Sequence, residues 1–117
     1  MLNKGADGAM VFEPAFVQAA VGDTVTFIAT DKGHNAENIK DMLPAGVDEF
    51  KSEMGKDYVL TVASEGLYGV KCTPHYTMGM VALIQAGAPV NQDAVVAVTL
   101  KGKAKTRFEP LIAQIVQ

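Results

Sequence analysis

The chain has 117 residues but only one cysteine, two histidines and no tryptophan. A single cysteine cannot form a disulfide within the chain, so cysteine usage indicates neither a cross-linked scaffold nor a cellular compartment. No apolar run approaches the ~18 residues that a membrane-spanning helix requires, and we expect no membrane insertion. An apolar signal-peptide core is also absent, which predicts either a cytoplasmic protein or a mature form whose leader has been removed.

Basic residues are not in excess either: 10 lysines and arginines stand against 13 aspartates and glutamates, for a net charge of -3. This balance argues against a nucleic-acid partner. Hydrophobic residues make up 49% of the chain and charged residues 20%, which is typical of a globular protein rather than a disordered one. The length suffices for one core, so residues 1–117 are predicted to form a single domain.

Short segments of alternating polar and apolar residues, separated by Gly and Asp turns, predict β-strands along most of the chain. In one of them Tyr68, Val70 and Cys72 share a face, while Lys71 lies on the opposite face. The cysteine is therefore expected at the interior end of a strand. Strands at this spacing predict an all-β sandwich over about residues 1–87. The clearest candidates lie at 24–30, 57–62, 67–72 and 81–86.

The last quarter of the chain has a different pattern, and about residues 91–117 are predicted to form two helices separated near Gly102. A proline inside a helix removes a hydrogen bond and costs about 3 kcal/mol, so we expect Pro110 to kink the second helix or to mark its first turn. One helical turn is also predicted at 47–51. The apolar stripe of the second helix consists of Ala104, Phe108, Leu111, Ile112 and Ile115.

One predicted loop between two strands contains most of the residues that carry chemistry. It holds the only cysteine, one histidine and two methionines: Cys72, His75, Met78 and Met80. The other histidine, His34, lies far upstream. A thiolate, two imidazoles and a thioether are the ligand set of a blue-copper electron-transfer site, in which the methionine is a weak axial ligand. The sequence therefore predicts a copper centre with one methionine bound.

Residue types alone leave other interpretations open. Zinc also accepts Cys and His, although structural zinc sites usually have four strong ligands and methionine is a poor one. Cys72 can also be read as a buried, inert thiol, or as a nucleophile activated by His75 or His34. The missing Gly-rich elbow argues against the nucleophile. Spacing does not decide between Met78 and Met80 as the axial ligand.

The sequence resembles the cupredoxins over essentially its whole length. Within them it is similar to the small periplasmic type 1 copper proteins that append two C-terminal helices to an eight-stranded Greek-key β-sandwich. The resemblance rests on five segments: Phe12-Glu13-Pro14, Val21-Gly22-Asp23-Thr24-Val25-Thr26-Phe27, Asp31-Lys32-Gly33-His34-Asn35, Tyr68-Gly69-Val70-Lys71-Cys72-Thr73-Pro74-His75 and Met78-Gly79-Met80. It implies one type 1 copper ion per chain, with the ligands His34, Cys72, His75 and Met80.

The resemblance also implies roles around the copper. Asn35 would tie the two ligand-bearing loops together, and Pro74 would stiffen the loop and remove one N–H donor near the sulfur. His75 would be the electron port, surrounded by an apolar docking patch that includes Met10, Pro74 and Met78. A ring of lysines would steer acidic partners towards this face: Lys4, Lys32, Lys51 and Lys71.

By the same resemblance, the protein is a monomeric periplasmic electron carrier and not an enzyme. Copper nitrite reductase is the expected acceptor, and other periplasmic redox enzymes of denitrification or a c-type cytochrome are further candidates. The alternative function is copper storage or delivery without a redox cycle, against which the absence of a methionine-rich disordered tract argues. Thr77 departs from the family, in which Gly commonly follows the His-Tyr pair, and it is expected to alter the surface over His75.

Overall fold

Eight short strands and two helices are the main elements of the computed structural model, which describes all 117 residues. A 3₁₀ helix (Thr73–Met78) connects the last two strands. The strands are β1 (Leu2–Gly5), β2 (Gly8–Val11), β3 (Phe16–Ala19), β4 (Thr24–Phe27), β5 (Glu37–Asn38), β6 (Tyr58–Thr61), β7 (Gly66–Lys71) and β8 (Val81–Ala86). The helices are α1 (Gln92–Ala97) and α2 (Gly102–Ile112).

The strands pair as one four-stranded sheet and two antiparallel pairs. The sheet has the order β3-β8-β7-β5, in which β3 is parallel to β8 and the other neighbours are antiparallel. The pairs are β1-β2 and β4-β6. One apolar cluster joins Phe27 and Leu60 of the β4-β6 pair to Val70 and Ile84 of the sheet. The predicted all-β sandwich with two C-terminal helices is thereby confirmed.

The central strands β7 and β8 are buried on both faces. Tyr68 and Val70 point into the cluster between the sheets, whereas Leu67 and Leu83 join a second cluster on the outer face. The helices supply the rest of this second cluster, including Val95 and Phe108. The outer face of the sheet therefore packs against α1 and α2 instead of facing water. This packing anchors the two strands that flank residues 72–80. This segment is named the copper loop, because the sequence predicts three of the copper ligands in it.

The helix pattern of the sequence is confirmed, but some details differ. Three residues of the predicted apolar stripe, Ala104, Phe108 and Leu111, are buried in α2, whereas Ile112 is half-buried and Ile115 lies beyond the end of the helix. Gly102 is the first residue of α2, with a φ of 58° that suits glycine, rather than a spacer before the helix. Pro110 lies in the last turn, so its expected place in the first turn is wrong. The hydrogen bond that proline cannot donate is lost close to the natural end of the helix.

The helical turn expected at 47–51 is wrong. The backbone turns earlier, where the Val47 N–H donates to the Pro44 carbonyl. Lys51 instead forms an isolated antiparallel bridge with Glu37 of β5. Pairing with the sheet edge satisfies backbone groups that a single helical turn would leave exposed, so tertiary structure overrides the local pattern. Neither α1 nor α2 has the length and hydrophobicity that a membrane-spanning helix needs.

Candidate metal centre

The four sequence-predicted ligands are presented by two segments of the sandwich. Cys72 directly follows β7, His75 lies on the 3₁₀ helix, and Met80 directly precedes β8. The Cys72 N–H donates to the Met80 carbonyl at 3.0 Å, and the Met80 N–H donates to the His75 carbonyl at 3.2 Å. The copper loop is thus closed by its own backbone. His34 comes from the connection between β4 and β5.

Three donor atoms from these residues converge on one point. The Cys72 Sγ atom lies 3.7 Å from Nδ1 of His34 and 3.5 Å from Nδ1 of His75. The two Nδ1 atoms are 3.1 Å apart. These separations are short enough for all three atoms to bind a single ion, and no other group of histidine, cysteine and acidic residues in the structure converges in this way.

Burial distinguishes the two methionines that the sequence left open. Met80 is fully buried and belongs to the same core cluster as Cys72. The Met78 side chain is 37% exposed. Only Met80 therefore lies inside with the donors. His34 and Cys72 are also fully buried, whereas His75 is partly exposed, so His75 is the single ligand that reaches the surface.

Burial also sets the protonation of the centre before metal binding. It raises the pKa of the Cys72 thiol, while the backbone N–H groups of Asn35 and His75 oppose this shift. It lowers the pKa of His34, and the neighbouring His75 imidazole lowers it further. Neutral imidazoles are the ligand form of histidine, and a cation that replaces the thiol proton stabilises the thiolate.

The donor set fits copper better than zinc. A thiolate and a thioether are soft ligands that suit Cu(I), and imidazole suits copper in both valences. The buried Met80 thioether is a poor ligand for zinc. A zinc ion here would have only three strong ligands, whereas structural zinc sites have four. When bound to His34, Cys72, His75 and Met80, copper supplies one-electron chemistry between Cu(II) and Cu(I).

The Nε2 atom of His34 is hydrogen-bonded to Asn3, a residue that the sequence analysis did not identify. His34 Nε2–H donates to the Asn3 Oδ1 atom at 2.8 Å. The Asn3 backbone N–H in turn donates to Asp31 at 2.7 Å. This bond fixes the tautomer, because a proton on Nε2 leaves the Nδ1 lone pair free for a metal. Asn3 stands 31 residues from His34, and no local motif marks it.

Asn35 lies between the two ligand-bearing segments, and Pro74 lies at the start of the 3₁₀ helix. The Asn35 side chain bonds to Thr73 through both its oxygen and its nitrogen. Thr73 also donates from its hydroxyl to Glu37 at 2.7 Å. Pro74 is in the first turn of the helix, where the lack of an N–H removes no helical bond. Thr73 and Glu37 were not identified from the sequence.

The residues expected at the docking face occupy different environments. Pro74, Thr77 and Met78 are exposed on the 3₁₀ helix beside His75, and β2, which carries Met10, packs against that helix. Three lysines are exposed: Lys4, Lys32 and Lys51. Lys71 is half-buried, with its Nζ 3.9 Å from the Glu37 carboxylate and 4.8 Å from the centre of the Tyr76 ring. The Lys71 charge is therefore partly balanced within the chain.

Comparisons with known proteins agree with this centre. Residues 1–87 match the family model of copper-binding proteins of the plastocyanin/azurin family. The chain is 56% identical over 116 residues to a pseudoazurin of Paracoccus pantotrophus, covering 98% of this chain and 80% of the relative. It is 47% identical to a pseudoazurin of Methylorubrum extorquens, covering 98% and 78% of the two chains.

Solved structures give the same result for the fold. The crystal structure of native pseudoazurin from Hyphomicrobium denitrificans superposes with a TM-score of 0.95 at 47% identity. The superposition covers 100% of this chain and 95% of that one. The chain therefore belongs to the plastocyanin/azurin family of copper-binding proteins and, within it, to the pseudoazurins, which are type 1 copper electron carriers and not enzymes.

Proposed function

We propose that this pseudoazurin carries single electrons between redox proteins of the bacterial periplasm and that copper nitrite reductase is its principal acceptor. Other periplasmic redox enzymes and c-type cytochromes are the further candidates. One observation carries the proposal: of the four copper ligands, only His75 reaches the surface. An electron entering or leaving the buried centre has its shortest protein path through that imidazole.

The surroundings of His75 suit a brief encounter with an acidic partner. Met78 and Pro74 provide exposed apolar area beside the imidazole, which allows close contact without a deep pocket. Electron-transfer encounters of this kind bury less than about 1,200 Å². The exposed lysines Lys4, Lys32 and Lys51 add positive charge to a chain whose net charge is -3. Opposite charges on the two docking faces raise the association rate more than the affinity.

The proposal is tested by stopped-flow oxidation of the Cu(I) protein with purified copper nitrite reductase at increasing ionic strength. We expect the second-order rate constant to fall by about tenfold between low and physiological salt, because screening weakens long-range steering. Lys32→Gln and Lys51→Gln should each lower the low-salt rate. Lys105→Gln is the matched control, since Lys105 is an exposed lysine of α2 that borders the groove between the two helices. A rate constant that changes neither with ionic strength nor in Lys32→Gln and Lys51→Gln would contradict the proposal.

Copper storage or delivery is less well supported. A delivery site needs ligands that exchange readily, whereas His34, Cys72 and Met80 are fully buried. The two functions are separated by one spectrum. An electron carrier loaded with Cu(II) should show an intense visible charge-transfer band that ascorbate bleaches and an oxidant restores over many cycles. A protein that releases its copper during the first reduction would favour delivery.

A further inference from the structure

The side chain of Arg107 extends from helix α2 to the backbone at the copper face. Its Nη1 atom donates to the Met10 carbonyl at 2.8 Å and lies 3.5 Å from the Gly79 carbonyl. Met10 is 97 residues away in sequence and belongs to β2, while Gly79 immediately precedes the ligand Met80. A single guanidinium thus contacts the backbone of β2 and the residue that caps the C-terminal end of the 3₁₀ helix carrying His75. The fork of donors that arginine offers makes such double contacts possible.

The Arg107 side chain also packs closely against two glycines, Gly79 and Gly8. A methyl group on Gly79 would come within 2.7 Å of Arg107 Cδ and 3.0 Å of the Lys103 carbonyl. A methyl group on Gly8 would lie 3.1 Å from Arg107 Nη2. The Arg107 side chain therefore leaves little space for a side chain at Gly79 or Gly8. Gly79 also has a φ of 90°, which disfavours any other residue there.

The backbone that Arg107 contacts is not in a relaxed conformation. Met10 has a φ of 56°, in the left-handed region that methionine rarely adopts. Such a conformation persists only where surrounding contacts enforce it. The 2.8 Å bond from Arg107 to the Met10 carbonyl is one such contact, and it acts on a residue of the strand that packs against the 3₁₀ helix.

We propose that Arg107 is a positioning residue for electron transfer. It clamps β2 and the C-terminal end of the copper loop to α2, so that Met80 and the surface around His75 keep one geometry in both copper valences. The inference rests on the proposed electron-transfer function, because a rigid ligand frame matters most for a centre that changes valence repeatedly. It gives the C-terminal helices a role at the copper face in addition to covering the sheet.

The test compares Arg107→Lys and Arg107→Met with Lys105→Met, an exposed position on the same helix. Lysine keeps the charge but loses the planar fork, so an effect shared by both Arg107 variants arises from the bonding geometry and not from the field. The first readout is amide hydrogen exchange in the metal-free proteins. The reporters are the N–H groups of Gly79 and Met80, which donate to Tyr76 and His75, and the reference is the β4-β6 pair.

We expect the Gly79 and Met80 amides to exchange about tenfold faster in both Arg107 variants, because the hydrogen bonds of a charged donor are lost. Exchange in β4-β6 and in Lys105→Met should stay at the wild-type rate. Unchanged exchange at Gly79 and Met80 would overturn the proposal, and so would an equal increase throughout the sandwich, which indicates only a global loss of stability.

The second readout is the self-exchange rate between the Cu(I) and Cu(II) forms, measured by NMR line broadening. We expect it to fall severalfold in Arg107→Lys, whose charge is unchanged, and to be unaffected in Lys105→Met. A wild-type rate in Arg107→Lys would overturn the positioning role. If the wild-type protein itself failed to cycle between valences, the proposed function would fail. The amide hydrogen exchange of the metal-free proteins would still decide whether Arg107 clamps β2 and the copper loop to α2.

Discussion

Asn35 and Thr73 are joined by two hydrogen bonds that run in opposite directions. The Thr73 backbone N–H donates to Asn35 Oδ1, and Asn35 Nδ2 donates to the Thr73 hydroxyl, each at 2.8 Å. Each residue directly follows a copper ligand, His34 in one case and Cys72 in the other. This reciprocal pair therefore sets the distance between the two ligand-bearing segments, independently of the metal.

The first prediction concerns the hydroxyl of Thr73. Thr73→Val keeps the shape of the side chain but leaves the Asn35 amide with only a 3.4 Å contact to the Ser52 carbonyl, and it removes the donor to Glu37. We expect the metal-free protein to lose about 1–3 kcal/mol of unfolding free energy, measured by urea titration, because a buried donor becomes unsatisfied. Thr73→Ser retains the hydroxyl and should lose less than half as much. Equal losses in the two variants would show that packing, and not the hydrogen bond, matters.

The second prediction separates the two methionines of the copper loop. Met80→Leu removes the buried thioether and, with it, a weak ligand that stabilises Cu(II). We expect cyclic voltammetry to show a reduction potential raised by on the order of 60 mV, which is a tenfold change in the one-electron equilibrium. Met78→Leu is the control, since that side chain is exposed, and its potential should stay close to that of the wild type. The reverse pattern would assign the axial role to Met78.

The third prediction concerns Pro74, the residue in the first turn of the 3₁₀ helix. Pro74→Ala adds an N–H group two residues after Cys72 and loosens the loop. We expect the reduction potential to rise, because a new donor near the sulfur disperses the thiolate charge and favours Cu(I). Voltammetry of the copper-loaded variant measures the shift, and Pro89→Ala, outside the copper loop, serves as the control. A potential identical to the wild type would remove Pro74 from the residues that tune the centre.

The fourth prediction concerns the reactivity of Cys72. Because burial raises the pKa of this thiol, the metal-free protein holds less thiolate at neutral pH than a free cysteine does. Its rate of alkylation by iodoacetamide should increase with pH and reach half-maximum above the ordinary cysteine value of about 8.5. Copper loading should abolish the reaction across this pH range. Rapid alkylation at pH 7, with or without copper, would instead support the interpretation of Cys72 as an activated nucleophile.

Much of the fold was accessible from local patterns, and the exceptions have identifiable causes. The alternation of residues 67–72 correctly placed Tyr68, Val70 and Cys72 on one interior face. It did not reveal that the opposite face, which includes Leu67, is also buried, because that depends on where the helices dock. The prediction of a helical turn at 47–51 was wrong for a related reason. Lys51 pairs with β5, and the residues next to Lys51 in sequence give no indication of this distant partner.

The sequence by itself determined the chemistry of the centre, because a cysteine, a histidine and two methionines within nine residues, with one more histidine upstream, define a soft donor set regardless of how the chain folds. Tertiary structure decided which atoms meet. It buried Met80 and exposed Met78, and it brought Asn3 to His34 and Arg107 to Met10. The physical reason is the range of the interactions: ligand type and strand periodicity are properties of neighbouring residues, whereas burial and long-range hydrogen bonds depend on how the whole core packs.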